Sequence, residues 1–131
     1  MTKPILDVVL RSMGRSESKV RAVFDTGSHY SIVREASLPP KTSVLKYPKA
    51  ETLKAAAVGG KLKILGATVL IVQVGGKRVR DEVLVSPDLS QEMIVGAGTM
   101  QKWDISIHNN GGRTRVTVGR DIDDPDVIEV D

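Results

Sequence analysis

Val23-Phe24-Asp25-Thr26-Gly27-Ser28 decides the reading of this chain. Lys19 to Phe24 leads into it, with Val20, Ala22 and Phe24 alternating with Arg21 and Val23 at the period of a β-strand. The strand then delivers a carboxylate, a hydroxyl, a glycine and a second hydroxyl. Asp25 can hold or release a proton, and Thr26 can lock a turn by hydrogen bonding. Gly27 lets the backbone bend closely with no Cβ in the way. Ser28 can donate to a neighbouring carboxylate. Asp-Thr-Gly alone is weak evidence, because Asp and Gly both favour turns. Average usage produces it in roughly one chain in forty of this length. The apolar strand before it and Ile32-Val33 after it strengthen the reading.

A second signal lies downstream. Met93-Ile94-Val95-Gly96 is an apolar strand ending in glycine, followed by a short helix pattern through Gly98-Thr99-Met100-Gln101-Lys102-Trp103. Between the two signals lies Val58-Gly59-Gly60, flanked by strand-like runs. In this order and spacing the motifs resemble the retropepsin-like aspartic proteases, the single-domain relatives of the retroviral proteases. The resemblance covers roughly residues 5 to 108. It implies an all-β, retropepsin-like acid protease fold: a closed β-barrel-like domain with one short helix, assembled as a homodimer with the active site at the two-fold axis. It implies an aspartic endopeptidase acting on extended polypeptides.

The same resemblance implies a role for each motif residue. Asp25 is catalytic. Thr26 braces the partner loop across the axis, Gly27 turns its carbonyl toward substrate, and Ser28 hydrogen-bonds the outer oxygen of Asp25. Ile94, Val95 and Gly96 pack under the loop. Val58, Gly59 and Gly60 form a flap tip that closes over a peptide bound by strand pairing. The chain departs from the retroviral pattern at His29, Tyr30 and Ala97, where those enzymes commonly carry acids and an arginine. No C-terminal dimer strand is recognisable.

One aspartate implies two chains. Peptide hydrolysis of this kind uses one protonated acid to polarise the scissile carbonyl and one carboxylate to take a proton from water. Two carboxyl groups roughly 3 Å apart cannot both ionise, so they share a proton and titrate as a unit. This chain carries a single Asp-Thr-Gly, and a two-fold dimer supplies the second Asp25 on the axis.

Composition sets the outer bounds. The 131 residues make one domain with one core. Frequent Val and Ile, broken by Gly and Pro, suggest a β-dominated fold. There is no cysteine, which excludes disulfides and thiolate metal sites. No leader pattern follows Met1 and no run approaches a membrane span, so the expected location is cytoplasmic. His29 and His108 have no metal-ligand spacing, no serine triad is convincing, and the Gly-Gly pairs lack a phosphate-loop Lys-Ser or Lys-Thr. The expectation is therefore no metal and no cofactor. The net charge of +3 is uneven: residues 121–131 carry six acids and no Lys or Arg, leaving 19 cations and 10 acids on the rest. The basic residues are scattered among strands, so nucleic acid is not the expected partner. The expected organisation is a domain over 1–120 and an acidic tail over 121–131.

Strands are expected over Ile5 to Leu10, Lys19 to Phe24, Ser31 to Val33, Thr68 to Val74, Lys77 to Val85 and Met93 to Val95, with a helix over Thr99 to Trp103. A last hairpin joins Asp104–His108 to Arg113–Val118 across Asn109-Asn110-Gly111-Gly112. Residues 34–50 read as an irregular connection with one short edge strand near Val44-Leu45-Lys46, and Gly66 reads as a break. Val127-Ile128-Glu129-Val130 could pair as a strand. Two further readings remain open: the same fold as a peptide-binding module with little peptidase activity, and a small regulatory protein in which the fold only dimerises.

Overall fold

Alternating apolar residues set the architecture. The computed structural model describes residues 3–55 and 60–123. The chain runs β1 (Ile5–Ser12), β2 (Glu17–Asp25), β3 (Ile32–Arg34), a 3-10 turn (Glu35–Ser37), β4 (Leu45–Ala55), β5 (Gly60–Val74), β6 (Lys77–Ser86), β7 (Met93–Gly96), α1 (Ala97–Lys102), β8 (Ile105–Asn110) and β9 (Arg113–Val118). Every second residue of the long strands points inward. Val8 and Leu10, then Val20, Ala22 and Phe24, then Leu70, Val72 and Val74, then Val79, Val83 and Val85 are all buried. Side chains of a strand alternate between faces, so these runs fill one interior.

The sheet order is β1-β2-β7-β3-β6-β5-β4, and β1 also pairs with β5. Six strands therefore close into a barrel, with Val9 opposite Gln73 and Ser12 opposite Leu70 at the closure. β4 extends the sheet outward from β5. β8 and β9 form a separate hairpin. Their Ile105, Ile107, Val116 and Val118 pack against the core, while His108, Arg113 and Arg115 stay exposed. The all-β barrel with one short helix is the expected architecture.

Four details differ from the sequence reading. Residues 45–55 form an eleven-residue strand rather than a short piece. It breaks register between Lys46 and Glu51, and Pro48 falls in that irregular stretch. Proline has no N–H for the ladder, so the bulge accommodates it. Gly66 does not end a strand: β5 runs through it for fifteen residues. A Cβ there would lie 2.1 Å from the Leu45 carbonyl oxygen, so the glycine permits a close backbone approach instead. The helix starts at Ala97, two residues early, because its first amides find partners outside it. The last hairpin also tightens to a two-residue turn at Gly111 and Gly112, both at positive φ.

Candidate active site

The site is built by one strand pushed between two. β7 runs parallel to β2, with Asp25 opposite Gly96, and antiparallel to β3, with Ile32 opposite Ile94. Residues 26–31 must therefore loop around the end of β7. The loop closes on Gly96 so tightly that a Cβ would lie 2.3 Å from the Tyr30 carbonyl oxygen and 2.8 Å from that of Ser28. Three consecutive amides then secure the loop. Gly96 N–H donates to Ser31 Oγ at 3.0 Å, Ala97 N–H to the Ser28 carbonyl at 2.6 Å, and Gly98 N–H to the His29 carbonyl at 3.0 Å. The first amides of a helix have no partner within it. Here the loop supplies them, and this holds α1 and the loop as one piece.

Asp25 sits at the end of β2, 7 % exposed. Its Oδ1 accepts the Gly27 N–H at 2.9 Å, and its backbone carbonyl accepts the Ser28 N–H at 3.1 Å. This local turn orients the carboxyl group. Its Oδ2 accepts from Lys3 Nζ at 3.0 Å. The expected donor to that group was Ser28. Its hydroxyl instead donates to the Tyr30 carbonyl at 2.7 Å and braces the loop. Tyr30 lies two residues on from Ser28, so the acceptor is local backbone.

Lys3 is the residue that motif reading missed. The signal was present in the hairpin register. Ile5 pairs with Val23, so continuing the antiparallel ladder by two residues sets Lys3 opposite Asp25. The Phe24 N–H donates to the Pro4 carbonyl at 2.9 Å and carries the pairing that far.

The other expected residues divide into three groups. Ile94, Val95 and Gly96 are buried beneath the loop. Thr26 is exposed and borders an open hollow of about 390 Å³ with Ala97, Met100, Gln101, Asp104, Ile105 and Ile107. Gly60 opens β5 opposite Ala55, so the arms of the β4–β5 hairpin are in place, while Val58 and Gly59 lie outside the described residues. Leu62 and Ile64 from one arm, with Leu53 from the other, pack against Ile32, Leu89 and Ile94. That cluster joins the hairpin to the wall of the loop. His29 is exposed, its ring meeting Tyr30 edge-on at 4.9 Å.

Beyond the hairpin the chain stays attached. Asp121 is buried, Ile122 N–H donates to the Arg78 carbonyl at 2.8 Å, and Asp123 pairs with Arg78 at 2.6 Å. Val127 to Val130 lie outside the described residues. Among the described residues, no helix is long and apolar enough to cross a membrane.

Comparison with known proteins agrees with this fold. A family model described as retroviral aspartyl protease matches residues 1–108. The fold is similar to that of EIAV protease in complex with the inhibitor HBY-793, at 19 % identity and a TM-score of 0.56, covering 76 % of this chain and 86 % of that one. It is also similar to the retroviral protease-like domain of Ddi1 from Leishmania major, at 18 % identity and a TM-score of 0.54, covering 93 % of this chain and 99 % of that one. No curated protein sequence matches the chain.

Proposed function

The chain belongs to the retroviral aspartyl protease family, and from that premise we propose that it is an aspartic endopeptidase that becomes competent as a homodimer. The observation that carries this reading is the setting of Asp25: a nearly buried carboxylate at a strand end, oriented by the Gly27 amide, and present once per chain. In the dimer two Asp25 groups share one proton. The protonated one donates to the scissile carbonyl oxygen. The ionised one takes a proton from water as its oxygen attacks the carbonyl carbon. The tetrahedral adduct then breaks its C–N bond as the nitrogen receives a proton from the dyad and one hydroxyl of the adduct returns a proton to it, which leaves an amine, a carboxylic acid and the dyad with its one shared proton.

Thr26, exposed beside Asp25, braces the partner loop across the axis, and Gly27 offers its carbonyl to the substrate backbone. Ile94, Val95 and Gly96 support the loop from below. Val58, Gly59 and Gly60 cover the bound peptide. The substrate is an extended polypeptide with apolar residues beside the scissile bond; the buried cluster of Ile32, Leu62 and Ile94 backs the loop and the hairpin arm that would hold it. Residues 1–120 carry the activity and 121–131 form an acidic extension; the protein works in the cytoplasm.

A second reading draws on the Lys3–Asp25 contact. A carboxylate bound to an ammonium is a poor proton shuttle, which favours a dimeric peptide-binding module with little cleavage. Mass spectrometry of a peptide library after incubation at mildly acidic and neutral pH separates the two. Cleavage by the wild type that disappears in Asp25→Asn supports the peptidase. Binding of an extended peptide that survives in both, with no cleavage by either, supports the module.

A further inference from the structure

β6 carries an acid where its pattern calls for an aliphatic side chain. Val79, Val83 and Val85 point inward and are buried, and Asp81 occupies the same face between them, opposite Leu70 of β5. A carboxylate turned inward is costly unless hydrogen bonds replace its water. Asp81 has them. Oδ1 accepts the Glu82 N–H at 2.9 Å and lies 3.5 Å from Lys102 Nζ. Oδ2 accepts the Thr99 hydroxyl at 2.7 Å.

The chain of bonds continues inward. Thr99 Oγ1 and Ser31 Oγ are 2.6 Å apart, both residues are buried, and Ser31 Oγ accepts the Gly96 N–H. Donor counting gives each bond its direction. An ionised carboxylate only accepts, so the single Thr99 proton goes to Asp81. The Ser31 hydroxyl must then donate to Thr99, and its own oxygen takes the Gly96 N–H. Three donors thus point one way, from the end of β7 through the loop and α1 to β6. Bonds aligned in sequence polarise one another, and the charge at the end strengthens the series.

We propose that Asp81 is a positioning residue for the Asp25 loop, acting through Thr99 and Ser31. Gly96 stands opposite Asp25 in the β2–β7 ladder, so the relay ends one strand from the reactive carboxylate. Positions 29, 30 and 97 carry His, Tyr and Ala, with no charged pair to secure the loop, and the securing charge comes from β6 instead. The relay holds the loop at the place where two carboxylates must meet. It acts on the loop and not on the substrate, and the proposal rests on the peptidase reading above.

The test uses the full chain, with activity per active site titrated by a hydroxyl-containing peptidomimetic. Thr99→Val keeps the shape and removes the hydroxyl, and a misplaced reactive group loses roughly tenfold to a hundredfold in rate. We expect that loss in kcat with KM nearly unchanged, and recovery in Thr99→Ser. Asp81→Ala should match Thr99→Val, and the double variant should be no worse than either single one, as for members of one network. Wild-type kcat per titrated site in Thr99→Val, no recovery in Thr99→Ser, or losses that multiply in the double variant would overturn the proposal. Wild type without Asp25-dependent cleavage refutes the peptidase reading instead. Amide exchange then decides the relay: faster exchange at Gly96 in Thr99→Val, with Val72 and Val83 unchanged, supports it, and unchanged exchange at Gly96 refutes it.

Discussion

Gly96→Ala is expected to unfold much of the site. The new Cβ would lie 2.3 Å and 2.5 Å from the Tyr30 carbonyl oxygen and carbon, and 2.8 Å from the Ser28 oxygen. Carbon and oxygen tolerate approach to roughly 3.3 Å, so the loop must retreat by about 1 Å. All three atoms are backbone, and no rotamer change relieves them. Retreat lengthens the bonds from Gly96, Ala97 and Gly98 to Ser31, Ser28 and His29. Three hydrogen bonds at about 1 kcal/mol each, with overpacking of about 1–3 kcal/mol, give a loss of about 4–6 kcal/mol. That is a large share of the 5–15 kcal/mol typical of a domain. At roughly 3–5 °C per kcal/mol for this size, Tm should fall by about 15 °C. Gly98→Ala is the control. Its Cβ would meet the His29 oxygen at 3.1 Å, a contact a few tenths of an ångström of give can absorb, and helix propensity favours alanine there by about 1 kcal/mol. Thermal and urea denaturation followed by circular dichroism measure both. A Gly96→Ala protein melting within about 3 °C of wild type would refute the packing argument.

Other substitutions probe the surrounding structure. Gly66→Ala should destabilise by about 1–3 kcal/mol through its clash with the Leu45 backbone, read as a lower urea midpoint; an unchanged midpoint would mean the β4 bulge moves freely. Lys3→Met frees Asp25 Oδ2. A partly exposed pair is worth about 1 kcal/mol, so a hydroxyl-containing peptidomimetic should bind about fivefold tighter per site in low salt. Calorimetry should show that gain shrink near 1 M salt, and equal affinities in low salt would remove any gating by Lys3. The Arg78 hydrogen bond holds the Asp123 carboxyl below its usual range. A depressed carboxylate stabilises above its unfolded pKa and loses that contribution as pH falls through its folded one. The protection of amides 121–123, taken relative to their intrinsic exchange rate at each pH, should therefore fall in acid, an effect that Arg78→Met should abolish.

The sequence made the long strands legible because period-two alternation is local. Val20, Ala22 and Phe24 announce their inward face without reference to any other strand. β4 was harder to see: Pro48 and the polar residues around it break the pattern, and only pairing with β5 makes it a strand. Gly66 shows a different limit. Glycine marks a turn and a close approach with the same letter, and the Leu45 carbonyl that distinguishes them is 21 residues away in sequence. At the site, Asp25 and Gly96 were readable from their motifs. The partners of Asp25 depended on register, which favoured Lys3 over the adjacent Ser28. Asp81 belongs to no motif, and only the inward facing of Val79 and Val83 marks its position.

The late arrival of β7 bears on how the protein is born. β7 is four residues long, yet it fills the gap between β2 and β3, and it is the last strand of the ring to be synthesised. A nascent chain that has emerged only as far as Ser86 holds five of the ring's six strands and cannot close it. The facing edges of β2 and β3 then expose unpaired backbone groups and aliphatic side chains, the condition in which chains adhere to one another. Arrest with the chain emerged to a point between Ser86 and Gly96 should therefore leave a chaperone-dependent species, and emergence past Gly96 should let the ring close.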